Sequence, residues 1–496
     1  MVSAIVIGAG LGGIATAARL ARQGYQVTIY EKNDIPGGRA AVIERDGYRF
    51  DTGPTLFLMP EVFEETFRAF GERMDQHLEL QRLDPTYRVH FHDGTHLDLT
   101  SNLVEMREQL EAMEAGAFGA YLKFLAEGYN HYNLSLEKFV GRNFRSIFEY
   151  FNPVNLPLLI QLKALTTHAS NTGRYFKDPR LLAAFSFQNM YLGLSPYEAP
   201  ATFSLLQYTE LADGVWFPKG GLYKVIEVFT AIAESLGVQF VYNAPVRRID
   251  IEGGRASGIT LENGEHLKAD VVIANADLPY VYSELLPEDG SRQKLAKKKY
   301  TSSALMFYWG IRGPKSSNLL HHNVFLADDQ YQASFDRIFK DLSLPDVPSF
   351  YINAPSRSEA GFAPADGDGL MALVPVGHIN DEKPQDWESL ESKARKFVID
   401  RLQAMGLGDI PSRMVFEERI SPNTYQNKWN LAKGSAFGLS HNFLQVGYLR
   451  PQNRHARYPN LYFVGASTHP GTGLPIVLLS AKLTVERIIE EGPKPV

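Results

Sequence analysis

The sequence predicts an α/β fold built on a parallel sheet that opens with a dinucleotide-binding unit. Three observations carry this. Ser3–Ile7 is a short apolar run, as a strand buried on both faces requires. Gly8-x-Gly10-x-x-Gly13 follows it directly and leads into Ile14–Gln23, where apolar residues recur at helical spacing. After Gly24, Gln26–Tyr30 reads as the next strand, with Glu31 at its end about 20 residues beyond the glycines.

Each part of that unit has a physical task. Gly8 allows the tight turn out of the strand, Gly10 lets the backbone approach a pyrophosphate, and Gly13 lets helix and strand pack closely. The helix N-terminus offers free N–H groups and a positive dipole end to phosphates. Glu31 is placed to accept from a ribose hydroxyl. NAD enzymes of this kind usually continue into another βαβ crossover. Here the chain runs into Gly37-Gly38-Arg39, where loop amides and a guanidinium suit a pyrophosphate.

Composition narrows the classes further. At 496 residues, a prior of roughly 150 per domain gives two or three units. The net charge of −6, with no basic tail, gives no electrostatic reason to expect nucleic acid. With no cysteine, disulfides, thiol nucleophiles and thiolate-held metals are excluded. The N-terminus lacks the basic region of a secretory signal, and no window of about 18 uncharged apolar residues suggests a membrane span. Pro153–Leu165 and Leu474–Leu479 are nonetheless greasy, which suits a surface that dips into a bilayer.

Further along, Tyr87–His92 and His96–Leu99 flank Asp93-Gly94 as a predicted hairpin, and residues 101 to 212 read mostly as helix. Gly220-Gly221 precedes a helical run over 222–236. Strands are expected at 240–242, 246–251, 256–261 and 271–274, with Asn263-Gly264 as a turn. A last strand, 461–464, leads through a glycine-rich loop into a helix ending near Glu491. His90 and His92 would share a strand face, but no third ligand is visible and no metal site is expected.

The C-terminal stretch Asn460-Leu-Tyr-Phe-Val-Gly-Ala-Ser-Thr-His-Pro-Gly-Thr-Gly-Leu474, with Ser480 beyond it, resembles the signature of bacterial-type phytoene desaturases. Ser186-Phe187-Gln188, Gly214–Gly221, Gly434–Phe437 and Arg450–Arg454 resemble the same family, so the likeness spans the whole chain. The resemblance implies the flavoprotein fold shared with amine oxidases and GDP-dissociation inhibitors. It would have a discontinuous Rossmann-like FAD domain (1–80, 214–280, 440–496), a substrate-binding α+β domain (81–140, 281–439) and a helical membrane-associating part (141–213).

It further implies FAD-dependent desaturation of a long C30 or C40 isoprenoid at the cytoplasmic side of a membrane, with peripheral attachment and with oxygen or a quinone as electron acceptor. By resemblance, Gly8, Gly10, Gly13, Glu31, Gly38 and Arg39 would hold the pyrophosphate and ribose, and Val246 would meet the adenine. Gly465, Gly473, Pro475 and Ile476 would lie along the flavin. The same fold also serves carotenoid cis–trans isomerases, late-pathway carotenoid desaturases and non-redox isoprenoid escort proteins.

The candidate acid–base groups are Arg145 and Glu149, spaced i,i+4 on a predicted helix, and His469 inside the signature loop. Related proteins carry an acidic then a basic residue near Ser146 and Glu149, and this chain departs from that order. Phe187 and Tyr191 are candidates to face substrate.

Overall fold

A computed structural model describes residues 2–288 and 290–495. Five parallel strands form its dinucleotide sheet, in the order Leu461–Phe463, Val271–Ala274, Ser3–Ile7, Gln26–Tyr30 and Gln239–Val241. The two central partners of Ser3–Ile7 are therefore one neighbour in sequence and one nearly 270 residues away. Ile5, Val6, Val272 and Ile273 are buried, because helices cover one face of the sheet while the antiparallel strands Val246–Glu252 and Arg255–Leu261, with Leu278, Val281 and Leu285, cover the other. Leu11–Arg22 packs between the helices Tyr223–Ser235 and Leu474–Glu491 on one face.

A second, seven-stranded sheet runs Met414–Ile420, Ser303–Arg312, Gly367–Val376, Phe350–Asn353, His322–Phe325, Tyr87–His90, His96–Leu99. The third layer is the helical segment from Leu103 to Asp213, led by Ala117–Ser135. The expected hairpin forms, but His90 pairs directly with His96, so its loop is wider than Asp93-Gly94 alone. His92 lies in that loop and its Nδ1 is 2.8 Å from Asp328 Oδ2, which turns it away from any shared ligand face. Among the described residues no group of three metal-binding side chains occurs.

Two local expectations are revised. The sequence suggests one helix carrying Arg145 and Glu149. The chain instead turns through Gly141–Arg145, with only Ile147–Tyr150 helical, because Ser146 caps that short helix by accepting from the Glu149 N–H. The sequence also suggests a disordered tail over Gly492–Val496; at its start the Pro493 carbonyl accepts from the Tyr25 hydroxyl at 2.7 Å, and residue 496 lies outside the described residues.

Candidate functional site

At the carboxyl ends of the parallel strands the backbone closes on itself. Gly13 has no room for a side chain: a Cβ there would stand 2.3 Å from the Gly8 carbonyl oxygen. Gly10 is needed for a reason outside its motif, since its Cβ would sit 2.8 Å from Asn275 Nδ2 at the end of the Val271–Ala274 strand. Leu11–Arg22 has no side-chain cap and no acidic residue in its first turn, so its N–H groups are free for an anion.

Glu31 is buried, and its carboxylate accepts from the Ala9 N–H at 2.7 Å and from the Asn33 N–H at 2.9 Å. Those bonds orient it while lone pairs remain for a ribose hydroxyl. Arg39 donates to the Ala436 carbonyl at 2.6 Å. Burial pulls its guanidinium below the usual range, and Asp277 and Tyr425 oppose that shift. Asp277 accepts from the Ser467 hydroxyl at 2.5 Å and the Ala432 N–H at 3.0 Å, while burial pushes its carboxyl up.

The signature loop is held by a buried arginine. Arg450 donates to the carbonyls of Thr468, Ser440, Gln445, Leu439 and Ala466, five acceptors that fix the loop from Leu439 to Thr468 around one cation. Burial pushes its guanidinium down to about 9. Asn453 donates to the His469 carbonyl at 2.9 Å.

His469 is 2 % exposed and donates from Nε2 to the Arg142 carbonyl at 2.9 Å. That bond places its hydrogen on Nε2 and leaves Nδ1 with a lone pair that has no partner among the described residues. Burial pushes the imidazole down to about 4, so it is neutral at neutral pH. His441 shows the opposite tautomer: its Nε2 accepts from the Thr472 N–H at 3.1 Å.

These groups line one continuous cavity. Of the residues singled out from the sequence, Gly8, Gly10, Glu31, Gly38, Arg39, Val246, Gly465, His469, Gly473, Pro475 and Ile476 all border it. Gly13 lies just behind and shapes the turn. Away from the cofactor end the same cavity is bordered by Phe139, Tyr150, Leu159, Leu162, Phe443 and Val446, and by Phe187, Tyr191, Leu206, Val324 and Tyr351. The charged side chains on the wall are Glu31, Lys32, Arg39 and Asp277, all gathered at the dinucleotide end.

Arg145 and Glu149 do not border this cavity. Arg145 is ion-paired with Glu490 at the surface, and Glu149 accepts from the Arg145 backbone N–H at 2.9 Å. Asn275, Asp277, His441 and Lys32 are functional neighbours that the motifs miss. Only Asn275 and Asp277 carry a sequence signal, their place straight after the apolar run Val271–Ala274.

A dinucleotide cradle that opens into a chamber with no charged side chain on the rest of its wall is the arrangement of a flavin-dependent oxidoreductase with an apolar substrate, and the comparisons with known proteins agree. A family model described as flavin containing amine oxidoreductase matches residues 11–489. A zeta-carotene-forming phytoene desaturase of Myxococcus xanthus is 47% identical over 487 residues, covering 98% of this chain and 93% of that one. A phytoene desaturase of Neurospora crassa is 46% identical, covering 99% and 85%. A putrescine oxidase structure shares the fold with a TM-score of 0.66 at 15% identity, covering 99% of each chain. The chain belongs to the flavin-containing amine oxidoreductase family and, within it, to the phytoene desaturases.

Proposed function

We propose that this chain desaturates a long C40 or C30 carotenoid precursor of the phytoene type, introducing conjugated double bonds. The observation that carries the reading is the charge distribution of the cavity. Every charged side chain on its wall lies at the cofactor end, so the rest of the wall suits a hydrocarbon and offers an amine nothing to pair with.

Converting a CH2–CH2 unit to a double bond removes a hydride from one carbon and a proton from the next. FAD supplies the hydride acceptor when bound. The chain's own part is to hold the hydrocarbon, exclude water and take the proton. His469 is our assignment for that last step: it is neutral and borders the cavity beside the Gly471–Ile476 loop, and its buried Nδ1 makes no side-chain or backbone bond of good geometry among the described residues. The bond to the Arg142 carbonyl steadies the resulting imidazolium.

Substrate enters from a membrane surface. No helix among the described residues is long and apolar enough to cross a bilayer. Instead Phe148, Val154, Ile160, Leu165 and Leu444 are each at least 70% exposed, and Ile147 and Leu156 accompany them. Most lie in the 147–165 stretch, whose Tyr150, Leu159 and Leu162 border the cavity. Apolar surface of this kind marks a membrane or protein contact, and the adjoining apolar tunnel favours the membrane. Oxygen or a quinone takes the electrons onward.

The test is the visible spectrum of lipid extracts after incubating the FAD-loaded protein with phytoene-bearing liposomes in air. A new three-banded polyene absorption is expected. Phytoene left unchanged by flavin-yellow protein would overturn the substrate reading and favour isomerisation or a later carotenoid.

A further inference from the structure

A basic segment adjoins the exposed apolar residues and takes no part in holding cofactor or hydrocarbon. Five of the eight residues from Arg292 to Lys299 are cationic and none is acidic, in a chain whose net charge is −6. Leu295 and Tyr300 are buried and anchor the segment, while Arg292, Lys294, Lys297 and Lys299 stay exposed. Lys299 pairs with Glu198 at 2.9 Å, whereas Arg292, Lys294 and Lys297 form no ion pair among the described residues. A run of like charge without counter-ions works against the compact state, so its use lies with a partner of opposite sign.

Hydrogen bonds fix where these cations stand. Gln445 Oε1 accepts from the Lys299 N–H at 2.9 Å, and Gln445 Nε2 donates to the Lys299 carbonyl at 2.9 Å. The Ser440 N–H donates to the same carbonyl at 3.0 Å. The basic segment is thus tied to the 440–446 stretch, whose Leu444 is 70% exposed and whose Phe443 and Val446 border the cavity. On the other side, Glu198 belongs to a loop paired with the residues just after Leu165. There the Thr166 carbonyl accepts from the Ala201 N–H at 2.7 Å, and the Pro196 carbonyl from the Ala169 N–H at 2.9 Å. Leu165 is itself 83% exposed. The cations therefore join two parts of the outward apolar surface, next to residues that border the cavity.

Apolar side chains facing out beside free cations suit a bilayer of negative surface. The apolar groups enter the acyl boundary while ammonium and guanidinium groups meet phosphates at the headgroup level. Nucleic acid would be gripped by the cations alone and has no use for Leu165 and Leu444.

We infer that the Arg292–Lys299 segment binds anionic phospholipid headgroups, so that this protein docks preferentially on negatively charged bilayers. Arg292, Lys294 and Lys297 make the principal contacts. The inference rests on the reading that substrate enters from a membrane surface, and it adds the lipid class to that reading.

The experiment is co-sedimentation of FAD-loaded protein with two kinds of vesicle, phosphatidylcholine alone and phosphatidylcholine mixed with phosphatidylglycerol. Wild-type protein is expected to bind the anionic vesicles at least about tenfold more tightly, with an advantage that shrinks as salt is raised. Arg292→Gln, Lys294→Gln and Lys297→Gln together should bring the two affinities to within about threefold and leave binding to neutral vesicles unchanged. Thermal melting checks that the variant is folded. A control with the same change in net charge, Lys383→Gln, Lys393→Gln and Lys396→Gln, should keep the preference, since these exposed lysines lie outside the segment. Equal wild-type affinity for the two vesicles, a preference that survives the first triple substitution, or one that the control abolishes equally would overturn the inference and leave the membrane reading standing. Binding to neither kind of vesicle would instead overturn the membrane reading itself.

Discussion

The dinucleotide end and the Leu103–Asp213 helical segment solve opposite problems with the same chain. At the dinucleotide end nearly every position is over-determined: Gly13 touches the Gly8 carbonyl, Glu31 accepts from Ala9 and Asn33, and Arg450 binds five carbonyls. The helical segment breaks into short pieces such as Asn155–Gln161 and His168–Thr172, and shows Phe148, Ile160 and Leu165 to solvent. A charged cofactor has to be held by fixed donors, because each misplaced polar contact in a buried site is costly. A hydrocarbon asks only for apolar volume and a way in from lipid, which many sequences provide.

The largest effect expected of this contrast falls on Gly13. Gly13→Val puts branched carbons against a backbone oxygen that cannot retreat, so purified protein should lose its visible flavin absorption altogether. Retention of full flavin would show that the turn is looser than the packing demands.

Next is His469. His469→Ala should lower kcat by on the order of a hundredfold, the usual worth of a positioned base, with flavin content unchanged. An unaltered kcat would assign the proton to another acceptor. The same residue also governs a pH dependence. Its folded value near 4 lies below the ordinary 6.5, so the unfolded chain takes up a proton where the native one refuses it. Its contribution to stability is thus complete above about pH 6.5 and shrinks as the pH falls through that value toward 4. His469→Gln should flatten that part of a melting-temperature profile.

A smaller change is expected when the exposed patch is made polar. Phe148→Ser, Ile160→Ser and Leu165→Ser together should weaken liposome binding by about tenfold or more, while thermal melting stays close to wild type because all three side chains face outward. Binding left intact would move the membrane contact elsewhere. Leu162 would be a poor choice for this test, since it is buried at 3% exposure and borders the cavity.

The smallest effect belongs to Arg145. Its pairing with Glu490 is exposed, worth about 1 kcal/mol at most, so Arg145→Ala should leave kcat within about twofold. A collapse of activity would restore the 142–149 stretch as part of the chemistry.

Legibility in the sequence follows the distance over which each feature is encoded. The glycines, Glu31 and Arg39 are local: a strand, a tight turn and a helix dictate residue types at set spacings. His469, Gly473 and Pro475 are readable for the same reason, as one loop entering one helix. Asn275 is marked in the sequence only by its place after an apolar run; that it fills the space beside Gly10, more than 260 residues earlier, is not legible there. Arg145 and Glu149 show the converse, a regular spacing that the Ser146 cap breaks.

The sequence by itself determined the cofactor and the kind of fold that holds it. Phosphate and ribose are met by backbone geometry, and backbone geometry is written in neighbouring residues. Only the tertiary structure decided which residues border the cavity, which apolar side chains stay exposed rather than join the core, and which histidine nitrogens are left without a partner. Those properties belong to the space between segments hundreds of residues apart, and burial and hydrogen bonding there are set by packing rather than by any local pattern.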